Sequence, residues 1–183
     1  MVRLRDGFKP VQEGRILSVL DAASLSPEER KEIDYYRRIR EDQGEAGFFK
    51  LLVDKSDFIR VFQILAGRLA VGPGMEVLEL GAGQGWASCM VKHLQPAARV
   101  TASDISREAL LYSERYEQLL GVALDEIWEC SIRNLPFAGS QFDILFAFAS
   151  LHHFGRNRDY TGILREVYRL LRPGGRAVFL YEN

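Results

Sequence analysis

The sequence predicts an α/β fold: a doubly wound, mostly parallel sheet preceded by helices. Three observations carry this. Short apolar runs alternate with helical periods from about residue 76 onward. A glycine-rich turn, Gly81-Ala82-Gly83-Gln84-Gly85, joins one such run directly to a helix. The run from Gln141 to Ala149 is apolar at nearly every position (Phe142, Ile144, Leu145, Phe146, Phe148), as a strand covered on both faces requires. Strand–helix alternation of this kind implies right-handed crossovers and a parallel sheet. Ligands in such sheets bind beyond the carboxyl ends of the strands.

The bounds agree with that class. The chain has 183 residues, enough for one core domain and an appended segment. Its 24 Lys and Arg nearly balance 25 Asp and Glu, which argues against a broad nucleic-acid footprint. Cys89 and Cys130 sit in apolar elements without metal-ligand spacing, so they read as buried free thiols of a reducing compartment. No stretch reads as a signal peptide or membrane span. The expectation is a cytoplasmic protein with no membrane partner.

Residues 1 to about 25 show little periodicity and are broken by Gly7, Pro10 and Gly14. Over residues 1–45, nine basic residues face ten acidic ones, so a nucleic-acid-binding arm is unsupported. Ser26-Pro27-Glu28-Glu29 is a capping box with proline at the first helical position, and it opens a helix to about Glu41, ahead of Gly44 and Gly47. Tyr35 and Tyr36 on it, with Phe48 and Phe49 beyond, either dock the N-terminal helices on the sheet or line a substrate pocket. A second helix runs from Lys55 to Ala70 with Phe58, Phe62, Leu65 and Leu69 at helical spacing, and Val71-Gly72-Pro73-Gly74 ends it. The domain boundary falls there: 1–71 is a helical segment or lid, and 72–183 is the core.

Within the core, Val77–Leu80 is a short buried strand, and the helix after the glycines presents Trp86, Met90 and Leu94 on one face. Arg99–Ser103 is the second strand; Ser106 caps a helix to about Leu120, with Ala109, Tyr112, Tyr116 and Leu119 on one side. Glu126–Cys130 and Gln141–Ala149 are the third and fourth strands. A helix from Asp159 to Leu171 buries Ile163, Leu164, Val167, Leu170 and Leu171, Pro173-Gly174-Gly175 stops it, and Arg176–Glu182 is the fifth strand.

A strand that runs into glycines and then a helix leaves bare N–H groups at the helix N-terminus and lets a ligand approach the backbone. Asp104, at the tip of the second strand and about 20 residues beyond the glycines, is placed for ribose hydroxyls. Together they indicate a nucleoside cofactor. A dinucleotide G-x-G-x-x-G would need glycine where Trp86 stands, and Glu79 beside the loop would repel a pyrophosphate while favouring a cationic cofactor. From Glu79 to Gly85 together with Asp104, and over roughly residues 72–183, the sequence resembles the class I S-adenosylmethionine-dependent methyltransferases, in particular the small single-domain, type 11-like group, whose core is Rossmann-like.

The resemblance extends to Asn134-Leu135-Pro136-Phe137, followed by Gln141-Phe142-Asp143, and to the turn Arg172-Pro173-Gly174-Gly175. It implies S-adenosyl-L-methionine as cofactor and in-line methyl transfer to a small-molecule acceptor. Glu79, Gly81, Ala82, Gly83 and Gly85 would hold the methionine end, Asp104 the ribose, and Ile105 the adenine face, with Ser150 at the end of the fourth strand. Many members place an acidic residue near the Leu-Pro-Phe pattern to contact the adenine amino group. Here Cys130-Ser131-Ile132-Arg133 supplies none, so that Ser131 accepts that hydrogen bond or Ile132 only flanks the ring. Helices before the first strand cover the methyl donor in many members, which would put Tyr35 or Tyr36 in the substrate pocket.

His152 and His153 follow the fourth strand. Neighbours on an extended segment point opposite ways, so they make a poor metal pair, and no metal site is expected. His152 is the candidate general base, and His153 a pocket residue. The resembling fold normally carries further strands after the fifth, whereas the sequence ends at Tyr181-Glu182-Asn183. The expected sheet therefore lacks its C-terminal strands, and an open edge favours a homodimer or aggregation. The competing reading is a non-catalytic, methyltransferase-like binding or regulatory domain, or a truncated fragment. A nicotinamide oxidoreductase stands third, against Trp86 and Glu79.

Overall fold

A computed structural model of the chain describes residues 1–54, 56–154 and 160–181. The strands are β1 (Val11–Glu13), β2 (Ile16–Ser18), β3 (Glu76–Leu80), β4 (Arg99–Asp104), β5 (Glu126–Glu129), β6 (Phe142–Phe148) and β7 (Leu171–Leu180). The helices are α1 (Pro27–Asp54), α2 (Ser56–Leu65), α3 (Trp86–Leu94), α4 (Arg107–Leu110), α5 (Ser113–Leu120) and α6 (Thr161–Leu170). Lys55, Asp159, Glu182 and Asn183, which the sequence reading used as element or chain ends, lie outside the described residues.

All seven strands form one sheet in the order β1-β2-β5-β4-β3-β6-β7, parallel throughout except for the β1–β2 hairpin. The strand order turns back at β3, which lies between β4 and β6. The alternation of Cβ directions then sorts the core into two layers. Val77, Val100, Ala102, Ile127, Ile144, Phe146 and Phe148 face α2, α3 and α5, where Phe62, Trp86 and Tyr116 meet them. Leu78, Leu80, Trp128, Leu145 and Ala147 face the other way, onto Ile163, Val167 and Leu170 of α6 and onto Leu135 and Phe137.

Four differences from the sequence reading have local causes. The stretch before Ser26 is not featureless. Its hairpin adds an antiparallel strand to the sheet, and β2 pairs in parallel with β5. Arg15 ties the hairpin to Glu117 and to the Leu124 carbonyl, and Arg107 reaches Glu13 and Glu129. Residues before the hairpin are held by distant polar groups: Val2 N–H donates to Glu126 at 2.6 Å, and Arg3 N–H to Gln141 at 2.6 Å.

Second, the helical run expected to end ahead of Gly44 is interrupted there, Gly44 being non-helical (φ 50°, ψ −127°), but a second helical stretch that the sequence reading lacked follows it to Asp54, and α1 comprises both. Third, the expected helix from Ser106 to Leu120 is broken at Leu111–Tyr112 into α4 and α5. Fourth, β7 begins at Leu171, and the Pro173-Gly174-Gly175 turn is an excursion between the pairs Phe142–Leu171 and Ile144–Arg176. Ends of amphipathic stripes also turn outward: Leu94, Leu119 and Leu164 are exposed, while Trp86, Met90, Tyr116 and Ile163 are buried. Cys89 and Cys130 are buried free thiols. No helix among the described residues is long and apolar enough to cross a membrane.

Candidate functional site

The carboxyl ends of β3, β4, β5 and β6 open on a cavity of about 350 Å³ that α1 covers from one side. Residues of α1, β3, β4 and β6 line it, together with Cys130, Ile132 and Arg133 just beyond β5. The glycine loop after β3 supplies its floor. Gly81, Gly83 and Gly85 all take positive φ (67°, 53° and 73°), the conformation that side chains resist.

Two of the glycines have distinct steric jobs. A Cβ on Gly81 would lie 2.5 Å from Phe154 Cζ and 3.0 Å from Ser150 Cβ, so Gly81 keeps the cavity open beneath the turn after β6. A Cβ on Gly85 would meet Ser113 at 2.9 Å, on α5. Gly85 lies outside the cavity lining, and its small size serves helix packing. The loop N–H groups expected to face outward are largely engaged within the protein. Ala82 donates to the Ser103 carbonyl at 2.9 Å, Gly83 to Asp104 Oδ2 at 2.7 Å, and Gly85 to the Ala82 carbonyl at 2.8 Å.

Asp104 therefore does two things. Its Oδ2 accepts from Gly83, and its Oδ1 accepts from Ser106 N–H at 2.8 Å, fixing the carboxylate between the loop and α4. Ser106 is the N-cap of α4, accepting from Ala109 N–H, so Asp104 is released from that duty. Each Asp104 oxygen keeps acceptor capacity toward the cavity. Burial raises its pKa to about 6, against the opposing effect of backbone hydrogen bonds from Ser106 and Gly83, and the charge of Glu32 adds to the rise.

Glu79, on the β3 face turned toward α3, is 2% exposed and accepts from Ser88 Oγ at 2.5 Å. Burial raises its pKa to about 8; the Ser88 hydrogen bonds oppose this and the Asp104 charge adds to it. Two carboxyl groups thus share one buried site and disfavour each other's ionisation. In the same lining, Gln84 is 1% exposed; its Oε1 accepts from Tyr116 Oη at 2.9 Å, and its Nε2 has no acceptor among the described residues.

Ile105, Ile132, Ser150 and Ala82 line the cavity, as do Tyr36, His152 and His153. Tyr36 is buried, and its hydroxyl is the group that a Cβ on Gly83 would approach to 3.3 Å. Its own pKa is pushed well above the usual phenol value by burial and then by the charge of Asp104. Tyr35, its neighbour, is 48% exposed and does not line the cavity. The histidines differ from their expected arrangement. Leu151–His153 is a turn of 3-10 helix, which puts the two rings side by side, centroids 4.0 Å apart, both toward the cavity. No group of three metal-ligating side chains occurs among the described residues.

Ser131 stands behind the cavity wall rather than in it. Its hydroxyl donates to Glu29 Oε1 at 2.5 Å and accepts from Arg133 N–H at 3.1 Å. The lining residues that sequence reasoning missed are mostly on α1 and in the aromatic wall: Glu28, Glu29, Glu32, Phe58, Trp86, Phe148 and Phe154. For the acids the only signal was the capping box, which already explained Glu29 as a helix start.

The chemistry of the donor set is acceptor-rich. Glu28, Glu29, Glu32, Glu79 and Asp104 line one cavity, with Arg133 as the arginine among them. Such a set suits a ligand carrying positive charge and hydroxyl groups, with an aromatic wall for the reacting end.

The family described as a methyltransferase domain matches residues 78–179. A ubiquinone/menaquinone biosynthesis C-methyltransferase of Desulfotalea psychrophila is 36% identical over 107 residues, covering 57% of this chain and 40% of the relative. A malonyl-[acyl-carrier protein] O-methyltransferase of Hahella chejuensis is 26% identical over 164 residues, covering 89% of this chain and 56% of the relative. The chain thus spans about half the length of these curated relatives. Among solved structures, geranyl diphosphate C-methyltransferase from Streptomyces coelicolor, in complex with Mg2+, geranyl diphosphate and S-adenosyl-L-homocysteine, aligns with a TM-score of 0.62 at 16% identity. It covers 84% of this chain and 64% of that one.

Proposed function

The chain belongs to the class I S-adenosylmethionine-dependent methyltransferases, and from that premise we propose that it transfers a methyl group to a small-molecule acceptor. The observation that carries this reading is the pairing of Asp104 with Gly83 N–H in the same cavity as Glu79. Asp104 would accept from the ribose hydroxyls. Glu79, with the loop backbone, would balance the positive charge at the methionine end, and Ile105 and Ile132 offer apolar faces to the base. The bound cofactor supplies a methyl already activated on a positively charged sulfur, so the protein's task is alignment and exclusion of water.

That task falls to α1 and the aromatic wall. Tyr36 over Gly83, with Phe58, Trp86 and Phe148, would shut solvent from the reacting end. Residues 1–71 would act in this way as a lid on the core of 72–183. A nucleophile that must lose a proton has His152 on the cavity wall as its nearest candidate base. The relatives include methyltransferases named for carbon and for oxygen acceptors, so the acceptor atom is open within the class. Buried free thiols fit a reducing compartment, the cytoplasm.

Calorimetric titration with S-adenosylmethionine and S-adenosylhomocysteine, with NAD as control and Asp104→Ala as variant, tests the reading. Micromolar binding that the variant loses is the expected result; no binding of either sulfur compound refutes it.

A further inference from the structure

We propose that Glu29, carried by α1, is the acceptor that reads the amino group on the donor's purine, so that closing the lid and recognising the base are one event. The proposal rests on the cofactor reading above and adds to it a specificity-determining residue from outside the strand-end loops.

The acceptors at the β5 end of the cavity decide which group can meet the base. With the ribose at Asp104, the base extends toward Ile105 and Ile132, and its polar edge meets Cys130, Ser131, Arg133 and whatever α1 presents. Cys130 is a buried neutral thiol whose pKa burial pushes far up, a weak acceptor. Arg133 has donors only. The Ser131 hydroxyl has given its proton to Glu29 and one lone pair to Arg133 N–H, so it is not the main acceptor the sequence suggested.

Glu29 remains. Its side chain is 14% exposed and is fixed from three sides: Oε2 accepts from Ser26 N–H at 2.8 Å in the capping box, Oε1 accepts from Ser131, and Arg133 Nε stands 3.9 Å from Oε1 as an ion pair. A carboxylate takes about four hydrogen bonds, so capacity is left toward the cavity that Glu29 lines. Glu32, one turn on, acts elsewhere, its charge falling on Asp104 and Tyr36.

The test measures binding of S-adenosylhomocysteine and of its 6-oxo counterpart, S-inosylhomocysteine, by calorimetry. Glu29→Gln keeps the capping box, which accepts glutamine, and exchanges a pure acceptor for a group that also donates. Wild type should prefer the 6-amino ligand. The variant should bind that ligand about tenfold more weakly while binding the 6-oxo ligand no worse, as loss of one hydrogen bond to a charged group implies. Ser131→Ala, which frees Glu29 on one side, should shift the preference the same way by a smaller factor.

Equal weakening of both ligands by Glu29→Gln, the behaviour expected of Ser26→Ala through the helix cap alone, overturns the proposal. So does unchanged 6-amino binding. A wild-type protein that binds neither ligand overturns the cofactor reading itself, a result distinct from either of these.

Discussion

Replacing Glu79 by glutamine should stabilise the ligand-free protein at high pH and remove a pH dependence that the wild type carries. Its carboxyl is 2% exposed, its fixed partner is the Ser88 hydroxyl, and the charge of Asp104 opposes its ionisation. It titrates at about 8 in the fold against 4.5 for a solvated glutamate. Between those values the native state binds a proton that the unfolded chain has released, so stability falls as pH rises through the window. It is fully present below the unfolded value and lost on passing the folded one. At 1.36 kcal/mol for each pH unit the gap amounts to about 5 kcal/mol. Glutamine has no proton to lose and still accepts from Ser88.

Urea unfolding of both proteins at about pH 5 and about pH 8.5 reads the effect as a difference of differences. Wild type should lose several kcal/mol more than the variant between the two. Asp104, raised to about 6, contributes a similar slope at lower pH in both proteins and cancels from the comparison. The binding arm has the opposite sign. A cationic ligand favours ionised Glu79, so affinity for S-adenosylmethionine should rise with pH up to about 8, with proton release seen in buffers of different ionisation enthalpy. Parallel stability curves for the two proteins, or equal proton release from both, would refute the assignment of this charge to Glu79.

Other substitutions separate the site from its scaffold. Gly81→Ala puts a methyl at 2.5 Å from the Phe154 ring and should cost ligand affinity in titration as the ring is driven aside. Gly85→Ala, at 2.9 Å from Ser113 Cβ, should instead cost about 1–3 kcal/mol of stability in denaturant and leave affinity close to wild type. Phe62→Ala should cost about 3–5 kcal/mol, because the ring is fully buried against Trp86, Phe146 and Phe148. His152→Ala should slow single-turnover methyl transfer to an acceptor that must lose a proton far more than to one that need not, a ratio that a merely structural effect would leave at one.

The strands were legible because burial on both faces writes itself as consecutive apolar residues, and β3, β4, β5 and β6 fell within a residue or two of their expected limits. Features held by distant partners left no local trace. The β1–β2 hairpin depends on backbone pairing with β5 and on Arg15 reaching Glu117, far along the chain. The break between α4 and α5 has neither glycine nor proline to announce it. Gly44 did announce the break in α1, but nothing near it announced that helix resumes beyond it to Asp54. At the site, Glu79, Gly81, Gly83 and Asp104 were readable because strand ends and glycines have a fixed meaning in parallel sheets. The acids of α1 were not, since a capping box accounts for Glu29 without any cavity, and nothing in the sequence says which strand ends the helix will cover.

The charge balance of the cavity gives the acids of α1 a purpose. Glu79 and Asp104 raise each other's cost of ionisation in a site that burial has already made expensive, and Glu32 adds to the burden on Asp104. Glutamine at position 79 would keep the hydrogen bond from Ser88 without that penalty, so the fold alone does not call for that charge, whereas asparagine at 104, with one acceptor oxygen, would keep only one of the bonds from Gly83 and Ser106. A local conflict of this kind, only partly offset by the hydrogen bonds from Ser88, Gly83 and Ser106, is the mark of a site completed by its ligand. The ligand that relieves it must bring positive charge near Glu79 and hydroxyl donors near Asp104. On the lid role proposed for α1, each acid it adds would tie closure to the arrival of that ligand, because like charges oppose closing until it binds.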